Sequence, residues 1–150
     1  MNDHHEGVSM IREYMANDHK ECDILFSQAE EAAAAGGWES VQAHIEEFAK
    51  RTLHHFRMEE EVMFPDFEET TGMSQGPTQV MRMEHAQIRR QIDELRAAAA
   101  EQNKNRFFGV AETLMILLQQ HNAKEEQVLY AMADRMLDGA QVVEKMKALP

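Results

Sequence analysis

The sequence predicts an all-α protein, an antiparallel four-helix bundle with a short C-terminal helix. Three observations predict it. Apolar residues recur at helical spacing in four long segments, the connections between those segments are modest, and 7 Gly and 3 Pro among 150 residues give a composition that leans to helix. Connections of this kind set consecutive helices side by side and antiparallel.

In the first segment Ile11, Met15, Cys22, Phe26, Ala29 and Ala33 share one stripe that also passes through His19, and Gly36-Gly37 ends it. The second stripe runs Val41, Ile45, Phe48, Thr52, His55, Glu59, Val62, and the stretch from Pro65 to Pro77 is expected to separate it from the third. The third carries Met81, His85, Ile88, Ile92, Leu95 and Ala99, and Glu101 to Asn105 closes it. The fourth carries Phe107, Val110, Leu114, Leu117, His121, Glu125, Val128 and Met132. Asp138-Gly139 then opens a short amphipathic tail with Val142, Val143, Met146 and Leu149. One domain over 1–150 is expected, with the bundle spanning about 11–137 and the tail helix about 139–149. Twelve Met suit an adaptable helical core.

A formal net charge of −12 argues against nucleic-acid backbones and anionic membrane surfaces as partners, since each carries the same sign. One cysteine, Cys22, excludes an intramolecular disulfide. The first residues lack a basic stretch followed by an apolar run, and no apolar run approaches bilayer length. A cytoplasmic location is the expectation.

Sliding the chain on itself by 66 residues superimposes His19 on His85, His55 on His121 and Glu59 on Glu125 without a gap. Around them HFRMEEEVMF (His55 to Phe64) lies over HNAKEEQVLY (His121 to Tyr130), and Asp18-His19 lies over Glu84-His85. The chain thus reads as two αα-hairpins, each supplying a histidine from its first helix and a His-x3-Glu from its second. Residues four apart share a helix face, so both side chains of a His-x3-Glu reach one point inside the bundle. Two buried carboxylates carry a large desolvation cost, and no inward lysine meets them; a metal cation is the natural partner.

Imidazole with carboxylate and no thiolate suits iron, manganese or zinc, and two carboxylates able to bridge suggest an ion pair, with di-iron preferred. A lone buried histidine is more often a hydrogen-bonded core residue, and a lone His-x3-Glu is common by chance. Six such residues in register on the inner stripes of four helices are not. The ferritin-like arrangement needs Glu-x-x-His, and none of the eight histidines has a glutamate three residues before it. His54 and His44 read as surface or packing residues, and His4 and His5 as solvated. Cys22 reads as a small core hydrophobe, with a redox thiol as the alternative. Phe64 and Tyr130, equivalent by the repeat, are expected to line the core near the site. Of the acidic run Glu59 to Glu61 only Glu59 is expected to turn inward. Asp18 and Glu84 are candidates to orient ligand histidines. No phosphate loop, Cys-x-x-Cys, His-Glu-x-x-His or Gly-x-Ser-x-Gly is present.

NDHKECDILF (Asn17 to Phe26), HHFRMEEEVMFP (His54 to Pro65), MEHAQIRRQIDEL (Met83 to Leu95) and HNAKEEQVLY together resemble the hemerythrin family, in particular its HHE cation-binding branch. The resemblance implies an up-down-up-down bundle with two iron ions joined by an oxo or hydroxo bridge, manganese or zinc being possible in place of one. It implies His19, His55, His85 and His121 as terminal ligands, with Glu59 and Glu125 as bridges. Oxygen-carrying hemerythrins place His-x3-His on the third helix and His-x4-Asp on the fourth. Here Met81 and Arg89 flank His85 at those spacings, and neither is a good iron ligand. The expectation is therefore a binding protein for dioxygen or nitric oxide, or a holder of labile iron. The alternatives are a redox enzyme acting on peroxide or nitric oxide and a donor of iron for repair. No catalytic residue beyond the metal set is apparent, and the oligomeric state is open.

Overall fold

A computed structural model of the chain describes the backbone of residues 2–150 and the side chains of residues 9–150. The expectation for His4 and His5 lies outside the described side chains. Helix α1 spans Asn2–Ala34 and ends where Gly36 takes φ +78°, a left-handed conformation that costs glycine nothing, while the Gly37 amide donates to the Ala32 carbonyl at 3.1 Å. Helix α2 begins as Trp38–Met58, passes through a π-helical turn at Glu59–Met63 and continues as Phe64–Thr71 to a left-handed Gly72. Helix α3 spans Pro77–Ala100. Helix α4 begins at Lys104–Lys124, capped by the Asn103 side chain on the Arg106 amide; it passes through a second π-helical turn at Glu125–Leu129 and ends as Tyr130–Met136. Helix α5, Gly139–Lys147, starts at Asp138, whose carboxylate accepts from the Gln141 amide. Among the described residues there is no strand and no helix long and apolar enough to cross a membrane.

Helix α1 packs against α2 and against the last segment of α4, α2 against α3, and α3 against α4, which closes the four into a ring. Helix α5 lies across α1 and the π turn of α2, and buries Val142, Val143 and Met146 over that end of the bundle. The interior divides into two apolar clusters. One gathers Phe26, Phe48, Ile92, Phe107 and Leu114; the other gathers Ile11, Met15, Met63, Phe67, Leu129 and the α5 residues. Trp38 covers the first cluster at its end, edge-on to Phe107 with ring centroids 5.8 Å apart.

The sequence pattern places a break at Pro65, yet α2 runs on through it to Thr71. The π turn explains why. In it the Phe64 amide bonds back five residues to the Glu59 carbonyl, and Pro65 falls in the first turn of the segment that follows, where its missing N–H is not needed. The same turn in α4 joins the Tyr130 amide to the Glu125 carbonyl. An extra residue in one turn advances the helix face, so the predicted core position Val128 is 52% exposed while Leu129 and Ala133 are buried.

The last segment of α4 is tied to α1 by Asp134, whose buried carboxylate accepts from the Ile11 amide at 2.8 Å and the Arg12 amide at 3.1 Å. Asp134→Ala leaves both amides without that acceptor, and urea unfolding is expected to show a loss of about 1–3 kcal/mol.

Candidate metal centre

The six residues singled out by the repeat converge. His19 on α1, His55 and Glu59 on α2, His85 on α3, and His121 and Glu125 on α4 are all buried in the layer between the two apolar clusters. Glu59 and Glu125 each stand at the first position of a π turn.

Each imidazole is held from behind by a carboxylate. His55 Nδ1 lies 2.7 Å from Asp18, His121 Nδ1 2.8 Å from Glu84, His85 Nδ1 2.6 Å from Glu60 and His19 Nδ1 2.6 Å from Glu126. A carboxylate at Nδ1 keeps the proton on that nitrogen, so Nε2 turns its lone pair toward the interior. Three of the four carboxylates are braced by a cation: Arg51 on Asp18 at 2.7 Å, Arg89 on Glu60 at 3.0 Å, and Lys124 on Glu84. Asp18 and Glu84 thus orient histidines as expected, though each holds the histidine of the neighbouring helix rather than the one that follows it in sequence. Glu60 corrects the expectation that only Glu59 turns inward, because it leans back onto His85 and Arg89. Glu126 does the same for His19. The signal was in the repeat, which aligns Glu-Glu at 59–60 with Glu-Glu at 125–126.

The two inner carboxylates divide their oxygens between two imidazole pairs. Glu59 sets Oε2 3.5 Å from His55 Nε2 and Oε1 2.9 Å from His85 Nε2. Glu125 sets Oε1 3.1 Å from His19 Nε2 and Oε2 3.2 Å from His121 Nε2. Two groupings able to hold a cation result, one of His19, His55 and Glu125, the other of Glu59, His85, His121 and Glu125. Among the described residues five buried side-chain polar atoms lack an aligned hydrogen bond, and four of them are Glu59 Oε1, His85 Nε2, His121 Nε2 and Glu125 Oε2, which approach one another in pairs at 2.9 and 3.2 Å. Buried polar atoms are rarely left so. Four of them facing one point with lone pairs fit a metal ion, and nitrogen and oxygen donors without sulfur fit iron, manganese or zinc.

Without a metal, protons are the cations this cluster gathers. Burial pulls the His85 imidazolium down, but Glu125, Glu59 and Glu60 outweigh it and raise its pKa to about 11. Burial likewise opposes charge on His55 and His121, and the carboxylates, Glu59 foremost for the first and Glu125 for the second, raise both. Burial raises the Glu60 carboxyl, yet the hydrogen bonds from His85 and Arg89 prevail and lower it to about 2. Glu125 is held well below its usual range against burial, chiefly by His121.

Tyr130 lies deeper in the site than a lining residue. Its hydroxyl sits 2.6 Å from Glu59 Oε2, 2.8 Å from Glu125 Oε1, 3.2 Å from His55 Nε2 and 3.3 Å from His19 Nε2. Burial first, then the charges of Glu125 and Glu59, raise this phenol well above its ordinary pKa. Phe64, its repeat equivalent, stacks on His85 with ring centroids 5.7 Å apart, and Phe56 stacks on the same ring at 3.8 Å. Cys22 belongs to the apolar cluster, where burial pushes its thiol up, as suits a core residue. His44 and His54 stay outside the cluster, half-buried, with the His54 ring 3.4 Å from the Leu149 carbonyl.

A family model described as the hemerythrin HHE cation binding domain matches residues 10–133. Neither the curated proteins nor the solved structures contain a match.

His85 and Glu60 set a pH window for the metal-free protein. The stability contributed by His85 is complete below pH 6.5 and is lost as pH rises toward 11; that of Glu60 is complete above pH 4.5 and is lost as pH falls toward 2. Urea unfolding of chelator-treated protein is expected to give greatest stability between pH 4.5 and 6.5. Metal-loaded protein, in which the ion replaces imidazole protons, should hold its stability above that window. Parallel profiles for the two forms would contradict the assignment.

Proposed function

The chain belongs to the hemerythrin HHE cation-binding domain family, and on that premise we propose that it is a cytoplasmic non-haem di-iron protein, built as one domain, that binds dioxygen or nitric oxide or holds labile iron. One observation carries the proposal: Glu59 and Glu125 each place one oxygen in each imidazole pair. In this reading His19 and His55 would hold one ion and His85 and His121 the other, with Glu59 and Glu125 each offering an oxygen to both. Iron is preferred because imidazole and carboxylate donors suit it and the family match concerns cation binding; manganese or zinc in place of one ion is the alternative.

A non-haem iron pair supplies a change of oxidation state and a coordination position for a small ligand. The chain's residues supply the rest. Asp18, Glu60, Glu84 and Glu126 keep the four Nε2 atoms facing inward. Phe56 and Phe64 wall the His85 ring from water, and the methionines Met58 and Met63 close the layer toward α5. Among the described residues, beyond the metal set and the carboxylates that orient it, Tyr130 is the acid-base group that faces the site, which favours binding over turnover. Reduced protein given peroxide or nitric oxide should react once per centre; sustained consumption when a reductant is added would establish the enzymatic alternative.

Metal analysis of the iron-loaded protein should give two ions per chain together with visible oxo-to-iron charge transfer. His121→Ala is expected to lower the stoichiometry to about one, and Glu125→Ala to remove the pair; unchanged metal content in both would end the proposal. Glu60→Ala, which frees the His85 ring to turn, should weaken metal affinity by about 10–100-fold in a chelator competition.

A further inference from the structure

We propose that Tyr130 is itself a metal ligand, the fifth from protein for the ion between His19 and His55, so that the position open to a small molecule falls on the ion between His85 and His121. The inference rests on the di-iron reading above and adds to its six ligands an oxygen that the repeat does not duplicate.

Geometry carries it. With metal–ligand bonds of about 2.0–2.2 Å, neighbouring ligands of a five- or six-coordinate ion lie about 2.8–3.1 Å apart and opposite ones about 4.0–4.4 Å. The hydroxyl of Tyr130 stands 2.6–3.3 Å from all four donors of its half, which are Glu59 Oε2, Glu125 Oε1, His55 Nε2 and His19 Nε2. His19 Nε2 and Glu125 Oε1 are 3.1 Å apart, while His55 Nε2 and Glu125 Oε1 are 4.0 Å apart. Five donor atoms at these separations trace the edges and one diagonal of a coordination shell. As a hydrogen-bonding group the phenol gives its one proton to one of two carboxylates that both sit within 2.8 Å, and the other is left facing its oxygen. Coordination would make the oxygen one more donor to the ion those four atoms surround: the O–H proton passes to solvent as the oxygen–metal bond forms, and no electron moves.

The other half lacks such a group. The repeat puts the bare ring of Phe64 where Tyr130 stands, leaving two imidazoles and two carboxylate oxygens, the four atoms without an aligned hydrogen bond. On that side a pocket of about 90 Å³ lies between α3 and α4, lined by Glu84, Ile88, Leu117, His121 and Lys124, and meets the His121 ring from the side of Glu84 and Lys124. The fifth histidine missing from the third helix is thereby replaced, on the opposite ion, by a phenol.

The test is resonance Raman spectroscopy of iron-loaded, air-oxidised protein beside metal analysis. The chain has two tyrosines, and Tyr14 lies half-buried with its ring against Lys147. Ring modes of a metal-bound tyrosinate are expected in the wild-type protein and in Tyr14→Phe, and are expected to vanish in Tyr130→Phe with both ions retained. Wild-type protein that holds two ions without these modes, or that loses them in Tyr14→Phe, overturns this inference alone. A chain that takes up no iron overturns the di-iron reading and this inference with it. Should Tyr130→Phe fail to fold, the wild-type and Tyr14→Phe spectra decide the matter by themselves.

Discussion

Two carboxylates with no exposed surface, Glu59 and Glu125, set the terms for the rest of this molecule. Their charge cannot be left bare in a layer walled by phenylalanine, methionine and leucine, because an uncompensated buried ion costs several kcal/mol. Everything around them is arranged to supply or to hold positive charge: four imidazoles in front, and four further carboxylates behind those imidazoles to orient them. Arg51, Arg89 and Lys124 stand behind three of these in turn. The apolar clusters on either side act as the frame that holds this polar layer at mid-bundle.

The two π turns are how helices that bury a regular stripe also deliver a carboxylate to its centre. Widening the helix by one residue at Glu59 and at Glu125 lets that residue and its successor face different neighbours. Glu59 enters the centre while Glu60 reaches His85, and Glu125 enters while Glu126 reaches His19. The same widening lets Pro65 lie inside α2 and carries Leu129 rather than Val128 into the core.

Much of this was legible in the sequence because it depends on period. A spacing of 3.6 residues put His19, His55, His85 and His121 on inner faces, and the offset of 66 put them in one layer. What escaped was what breaks the period. A π turn leaves no mark in the spacing upstream of it, so Val128 and Pro65 were misplaced. Glu60 was read as solvated because an undisturbed helix would turn it about 100° from Glu59. Tyr130 was placed in the right neighbourhood but not at the centre, since periodicity fixes the face a side chain occupies and not how far its tip reaches. The fifth helix was visible from Val142, Val143 and Met146, and the end of the bundle that it covers came only from the structure.

The layering of charge has a consequence for electrons. Six carboxylates belong to the centre and the groups that orient it, Glu59, Glu125, Asp18, Glu60, Glu84 and Glu126, and three basic side chains brace them. Counted without imidazole protons or bound metal the surplus is negative, and the Phe56 and Phe64 rings thin the water that could screen it. A redox-active metal pair bound here, as proposed above, would be stabilised more in its higher charge than in its lower one, which would pull its reduction potential down.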